Sequence, residues 1–389
     1  MAKSKRLAQQ SDPGNILEIA YQSALDNQET LFVASAQLTD DVEFVCRCST
    51  QSGIRFLMAC LLAKLSNPSF DIRKPYTEIG GKGTYSGRNF DETYVAPFAF
   101  KYNLPVSQTT SFLIPAFRTN VPIAPGIALT GRPKSLYEKV IKLITATHKG
   151  LIKPEFLLME ILRWLIIVRK ERAQRIETLC ASLKAAQTDL SLPAESIVTL
   201  LYQHLSLPKS SRLPVLIVMA AYQSARERLG EQALPLQGHN TADSQTGALG
   251  DIQIALCDDS QVLTVYEMKA KRVLREDLEI AVQKLATAAR RIDNYIFITT
   301  DRIDESVKEF AATLHSKIGV EFVILDCLGF LRHFLHLFYR VRMDFLEYYQ
   351  KLLMSEPDNA VNPTLKEAFL SLRLATETGI AQTEEETES

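Results

Sequence analysis

The sequence predicts an α/β fold, a mixed sheet covered by helices in the C-terminal half, preceded by a mainly helical N-terminal region. Three observations carry this. Asp251–Cys257 (DIQIALC) and Val262–Lys269 (VLTVYEMK) are short strand-like runs separated by the turn Asp258-Asp259-Ser260, the pattern of a hairpin. Tyr295–Thr299 (YIFIT) and Val320–Leu325 (VEFVIL) are continuous apolar runs of strand length, as in strands buried on both faces. Stretches with helical apolar spacing lie between and around them, so the order is strand, strand, helix, strand, helix, strand, helix.

The elements follow in order. Residues 1–13 are polar, basic and closed by Asp12-Pro13, and are expected to be disordered. Residues 14–207 form the helical region, with helices at Ile16–Leu25, Gly53–Leu65, Leu136–His148 and Pro154–Ala186. Inside it, the segment 71–120 carries Gly80, Gly81, Gly83, Gly87 and several prolines. It reads as loops joining short helices and strands, and loops on a scaffold are where binding residues concentrate. Between 131 and 175 there are eleven Lys and Arg against four Glu. That is either an ordinary solvated helix face or a positive surface.

Residues 212–355 form the second domain. Leu213–Leu229 is an apolar helix, and Gly238–Gly250 is a polar loop before the hairpin. Glu276–Arg291 and Ile303–Ser316 are helices between the later strands. Gly329–Leu353 is one long helix rich in aromatics, a stripe that reads first as core and second as part of a dimer interface. Residues 356–389 hold two basic against eight acidic residues and are expected to be a mobile acidic tail.

Composition narrows the class. The chain has 389 residues, 46% hydrophobic and 23% charged, enough to bury a core without disulfides. Lys+Arg 44 against Asp+Glu 45 gives a net charge of −1. Global charge therefore does not advertise a nucleic-acid binder, although a local patch suffices for one. Six cysteines show no zinc spacing, and free thiols in a reducing compartment are expected. The first residues lack the apolar run of a signal peptide. Phe156–Val168 is interrupted by Glu160 and Arg163 and is too short to span a bilayer. A cytoplasmic chain with no membrane partner is the expectation.

The chemistry concentrates at the hairpin. Asp251 opens the first strand, and Glu267 and Lys269 lie two apart near the end of the second. Period-two geometry puts Glu267 and Lys269 on one face. The hairpin lets Asp251 and Glu267 face each other across the ladder. Paired hard oxygen ligands of this kind suit Mg²⁺, which uses one or two carboxylates and keeps several waters. The lysine is placed to act on a water or on negative charge at phosphorus. The bland alternative is a cross-strand Glu–Lys pair on a solvated face. The following helix and two buried strands weigh against it, because unpaired charge on a covered face is costly.

The segments GDIQIAL and VYEMKAK resemble the catalytic hairpin of PD-(D/E)xK endonucleases. The preceding LPVLIVMAAYQSA and HNTADSQTGALGD resemble the approach to that hairpin in type II restriction endonucleases. KPYTEIGGKGTYSGRNFDETYV and NLPVSQTTSFLIPAFR resemble, more loosely, the corresponding region of the SacI-like family. One departure is visible: Gly250 stands where the name-giving motif has proline.

The resemblance implies a PD-(D/E)xK nuclease core in 212–355 and a Mg²⁺-dependent, site-specific DNA endonuclease, with Mn²⁺ able to substitute. Asp251 and Glu267 would be metal ligands, and Lys269 would act on the water or the phosphate. Met268 would be packing. An acid from the preceding helix often completes such sites, and Glu227 is the better placed choice over Glu231. Gln283 or Lys284 on the following helix are candidates for the scissile phosphate.

Candidate DNA contacts are Lys82, Arg88, Asn89, Asp91, Thr109, Thr110, Arg118, His239 and Lys271. Arg reads guanine, Asn adenine and Asp cytosine, while hydroxyls hold phosphate. Arg88 and Asp91 have an even alternative as a structural ion pair, and Asp243 is equally a turn residue. The expected partners are double-stranded DNA, a second copy in a homodimer and a separate DNA methyltransferase. Two other readings remain, a structure-specific repair or recombination nuclease and a catalytically retired DNA-binding protein. No P-loop GxxxxGK[ST] is present, which disfavours an ATP-driven nuclease.

Overall fold

The computed structural model of the chain describes residues 12–379, except 49, 108–109, 114, 128–129, 187–190, 236–248, 260 and 287–291. The expected disordered start up to residue 11 and the last ten residues of the expected tail lie outside the described residues. The chain divides into two compact units, the first ending at Gln174 and the second starting at Arg175. The division is earlier than the boundary near residue 207 read from the sequence, and it falls within one long helix.

The first unit is helical. Asp12 accepts a hydrogen bond from the Asn15 amide at 3.2 Å and Pro13 opens helix α1, Pro13–Asp26, so the Asp-Pro pair starts a helix. Helices α2, Ala36–Arg47, and α3, Ser52–Ser66, follow. α3 is buried on every side from Ser52 to Ala63, which explains its nearly unbroken apolar sequence. Each fully buried Leu or Phe in it contributes about 1.5–3 kcal/mol. Gly53 lets α4, Lys134–His148, cross closely: a Cβ there would meet Val140 Cγ2 at a tight 3.0 Å. The breaker-rich stretch folds into loops and the short helical segments Gly87–Phe90, Asp91–Val95 and Ala96–Lys101, with no strand among its described residues. α5 is Pro154–Ala186.

The second unit holds α6, Ala194–Leu205, and α7, Leu213–Leu229, then a five-stranded sheet in the order β1-β2-β3-β4-β5. The strands are β1, Glu231–Ala233, β2, Ile252–Leu256, β3, Val262–Lys269, β4, Asn294–Thr299, and β5, Glu321–Asp326. β1, β2 and β3 pair antiparallel, and β3, β4 and β5 pair parallel. The mixed sheet read from the sequence is present, and β1 adds an edge strand that the sequence reading missed. Helices α8, Arg275–Ala286, and α9, Glu305–Ile318, connect the parallel strands.

Period two separates the two faces of the sheet. Ile252, Ile254, Tyr266 and Ile298 join one apolar cluster with residues of α6 and α7. Val265, Tyr295, Phe297, Phe322 and Ile324 join another with residues of α8 and α9.

Two expectations are corrected here. The long helix after β5 is broken into α10, Cys327–Leu337, and α11, Arg342–Ser355, with a tight turn at Tyr339–Val341. The break follows Phe338, whose backbone (φ −110, ψ 47) is not helical. Phe334, Phe345 and Tyr349 from this stripe are buried core, so those three serve packing within the chain. The expected mobile tail contains α12, Pro363–Thr378, capped by Asn362 and anchored by buried Leu365, Phe369 and Leu370. Its charges flank an amphipathic face, and counting charge alone hid that face. Among the described residues no helix is long and apolar enough to cross a membrane. None of the six cysteines is in a disulfide.

Candidate active site

The site is built on the end of β3. Glu267 and Lys269 fall on the same face as Val265, the face that α8 and α9 cover. The ladder pairs Ile252 with Tyr266, so one step further along Asp251 stands opposite Glu267. β2 has ended there, and the next β3 amide on that edge needs an acceptor. Asp251 supplies it: its Oδ2 accepts from the Met268 amide at 2.7 Å.

Gly250 explains the departure from the proline of the motif. A Cβ at this position would lie 2.6 Å from Val265 Cγ1, 2.8 Å from the Tyr266 carbonyl oxygen and 3.3 Å from Glu267 Oε2. No side chain, proline's ring included, fits without moving β3. The same numbers place the Glu267 carboxylate directly against the segment that carries Asp251.

Around Glu267 the charges are interlocked. Lys269 Nζ lies 3.5 Å from Glu267 Oε1 and 3.1 Å from Asp277 Oδ1. Lys284 Nζ lies 3.7 Å from Glu267 Oε2. The Tyr295 hydroxyl donates to the Leu249 carbonyl at 2.9 Å and sits 3.3 Å from Glu267 Oε2. Asp251 is exposed, while Glu267 and Lys269 are half-buried. The result is an open-sided cluster of carboxylates, ammonium groups and one phenol at one end of the sheet.

Among the described residues no group of three or more His, Cys, Asp and Glu side chains gathers as a metal site. Mg²⁺ needs only one or two carboxylates with water completing its shell. The Asp251 and Glu267 pair fits that donor chemistry.

Of the helix residues read from the sequence, Lys284 reaches the site and Gln283 is exposed on α8. Glu227 is corrected. It sits exposed in the last turn of α7, a helix whose Tyr222 hydroxyl meets the Tyr266 hydroxyl at 3.0 Å. Tyr266 faces opposite to Glu267, so α7 covers the other side of the sheet. Glu231 is also displaced: it pairs with Leu256, roughly 16 Å along β2 from Asp251 at about 3.3 Å per residue. Lys271 is exposed beyond the end of β3, where its carbonyl accepts from the Thr299 hydroxyl at 3.0 Å.

Sequence reasoning missed Asp277 and Tyr295. Asp277 had a signal. Three residues after Leu274, the residue before the helix, it is placed to reach back to the Leu274 amide, the geometry of a capping box, and it does so at 2.9 Å. Lys284 lies seven residues later, two turns along the same face. Tyr295 lay inside an apolar strand, and its partner depended on a register the sequence does not state.

In the first unit the candidate DNA contacts separate. Lys82 is exposed on a loop whose Gly80, Gly81 and Gly83 have φ of 68, 77 and 80. The Lys74 ammonium braces that loop through the Gly80 and Lys82 carbonyls at 3.5 and 3.3 Å. Arg88 is exposed and pairs with Glu92 at 2.8 Å, not with Asp91. Asn89 Oδ1 accepts from the Thr93 hydroxyl at 3.4 Å, and Arg118 is exposed. Thr109 and His239, with Asp243, lie outside the described residues.

Asp91 is corrected as a base reader. It is fully buried, held by Arg55 at 2.6 Å and by the Thr110 hydroxyl. Burial pushes its carboxyl above the ordinary carboxylate value, outweighing the pull of Arg55 and Thr110. Thr110 is committed to the same interior cluster.

No protein-family model matches the chain, and no curated protein matches it.

Proposed function

We propose that this chain is a Mg²⁺-dependent endonuclease of the PD-(D/E)xK type that hydrolyses phosphodiester bonds in double-stranded DNA, and that it is a type II restriction enzyme of the SacI-like kind. One observation carries the reading. Asp251, Glu267 and Lys269 meet on one face at one end of a sheet whose hairpin is followed by parallel strands. In this reading Asp251 and Glu267 would hold the metal, which would supply Lewis-acid chemistry at the phosphate. Mn²⁺ substitutes for Mg²⁺. Lys269 orients the attacking water or stabilises the charge that develops on the phosphate. Tyr295 fixes the Glu267 carboxylate against the Leu249 carbonyl segment. Lys284 supplies a second positive charge beside the scissile phosphate.

A palindromic site would be met by a homodimer, one active site per strand. A separate methyltransferase would protect the host's own sites. The exposed side chains of Lys82, Arg88, Asn89 and Arg118 are the readers this reading retains.

A second reading, a retired nuclease that only binds DNA, draws on the mutual neutralisation of Glu267 by Lys269 and Lys284. One experiment separates the two. A long mixed-sequence DNA is incubated with Mg²⁺ and wild-type protein or Asp251→Ala, and the fragment ends are sequenced. The expected result is discrete fragments sharing one short palindrome, absent with the variant. Structure-dependent nicking would shift the reading to a repair nuclease. Binding without cleavage by the wild type, on unmethylated and methylated DNA alike, would leave the retired form.

A further inference from the structure

We infer that Asp277 is the positioning residue for Lys269, a role that rests on the nuclease reading above. The argument starts with reach. A lysine carries a flexible four-carbon stem, and its ammonium must be fixed before it can act at a defined atom. Lys269 is the last residue of β3; it pairs with Thr299 of β4, while the ladder to β2 has already ended at Tyr266.

Asp277 supplies the missing constraint through both oxygens. Its Oδ2 accepts from the Leu274 amide at 2.9 Å, which ties the carboxylate to the start of α8. Its Oδ1 lies 3.1 Å from Lys269 Nζ, closer than Glu267 Oε1 at 3.5 Å. The anchor is half-buried, with 22% of its side chain exposed, so it is rigid at one end and reachable at the other.

The same helix acts twice. Seven residues on, Lys284 reaches Glu267 from the next-but-one turn, so α8 grips β3 at both members of the motif. In the nuclease reading Glu267 would hold the metal; Asp277 is the second carboxylate beside Lys269, and the one nearer to its ammonium. Asp277 touches no reacting atom in this scheme and works only through Lys269.

The two oxygens make the test clean. In Asp277→Asn the side-chain oxygen still accepts from the Leu274 amide, and the new NH₂ cannot accept from an ammonium. Cleavage kinetics and DNA binding are measured with Mg²⁺ for the wild type, Asp277→Asn, Asp277→Glu, Lys269→Met and the double variant Asp277→Asn/Lys269→Met. Melting temperature is followed for each. The expected result is a kcat lower by about 10–100-fold in Asp277→Asn, with KM, DNA affinity and melting temperature near wild type. Asp277→Glu is expected to recover part of the rate. In the Lys269→Met background the Asn change is expected to have no further effect. Wild-type kcat in Asp277→Asn overturns the role while leaving the nuclease reading intact. So does a rate loss that persists undiminished in the Lys269→Met background or that tracks a fall in melting temperature. A wild-type protein that cleaves no DNA removes the nuclease reading and this role together.

Discussion

Two carboxylates in this chain sit beside cations and are built in opposite ways. Asp91 in the first unit is fully buried and clasped at 2.6 Å by Arg55. Glu267 in the second unit keeps 16% of its side chain exposed, and its ammonium neighbours stand at 3.5 and 3.7 Å, beyond ordinary hydrogen-bond length. The first is a short, sealed pair that a ligand cannot enter without breaking the core. The second is looser, and its carboxylate remains partly exposed. In the sequence both are an acid near a base. Burial and distance separate them: one is a sealed pair, and the other is the kind of site that the proposed chemistry needs.

The largest expected effect tests that division directly. Arg55→Met leaves the Asp91 carboxylate buried without its guanidinium, and breaking one side of a buried pair costs about 3–5 kcal/mol. Glu267→Gln removes a partly exposed charge and is expected to cost under about 1 kcal/mol while abolishing cleavage. Urea unfolding of both variants at pH 7.5 gives the two numbers. Similar losses in the two variants would dissolve the distinction between them.

A smaller effect extends the rule to a buried group that carries no charge. His204 is fully buried, with Nε2 3.0 Å from the Leu365 carbonyl and Nδ1 3.0 Å from the Tyr349 hydroxyl. A carbonyl only accepts, so Nε2 carries the proton and Nδ1 accepts from the tyrosine: a neutral ring with both nitrogens satisfied. Burial holds its pKa down at about 4 against the opposing pull of the Leu365 carbonyl. The unfolded imidazole titrates near 6.5. Above about pH 6.5 both states are neutral and His204 adds no pH dependence. Between about 6.5 and 4 the unfolded state binds the proton first, so stability falls as the pH falls. The full loss is on the order of 3 kcal/mol. Unfolding midpoints at pH 7.5, 6 and 5 for wild type and His204→Gln isolate this part, because the variant lacks the titrating group. Parallel profiles for the two proteins would show that His204 carries none of it.

The fold of the second unit was legible because period two and turn chemistry are local. The hairpin, the two buried strands and their helices need only neighbouring residues to be recognised. The shared face of Glu267 and Lys269 was legible for the same reason, since strand alternation alone puts them there. Glu227 was misplaced because a helix leading into a hairpin can cover either side of the sheet, and only the register of β1 and the Tyr222–Tyr266 contact decide which. Asp91 was misplaced because nothing near it in sequence reveals that Arg55, 36 residues earlier, is its partner. The stretch 363–378 of the tail was misjudged because its net charge concealed the apolar positions Leu365, Phe369 and Leu370. Each failure is a contact over long sequence distance or a face chosen by packing.

The smallest stability effect belongs to Arg88, and it sharpens the comparison from the exposed side. Arg88 pairs with Glu92 one turn away, and more than half of its side chain is exposed. Exposed pairs at this spacing contribute about 0.3–0.5 kcal/mol, so Arg88→Ala is expected to shift stability by no more than that. Its neighbour Asp91, three residues along, is buried and paired with Arg55. If the exposed arginine reads a guanine as proposed, Arg88→Ala weakens binding to the cleaved sequence by about 1–3 kcal/mol and leaves binding to unrelated DNA nearly unchanged. Unfolding and binding measured on the same preparation decide it. A variant that keeps both stability and sequence preference makes Arg88 an ordinary solvated charge and moves the search for the reader to Lys82, Asn89 and Arg118. A variant that loses stability as Arg55→Met does would mean that the surface pair is tied to the buried one, and the contrast between sealed and open clusters would not hold within the first unit.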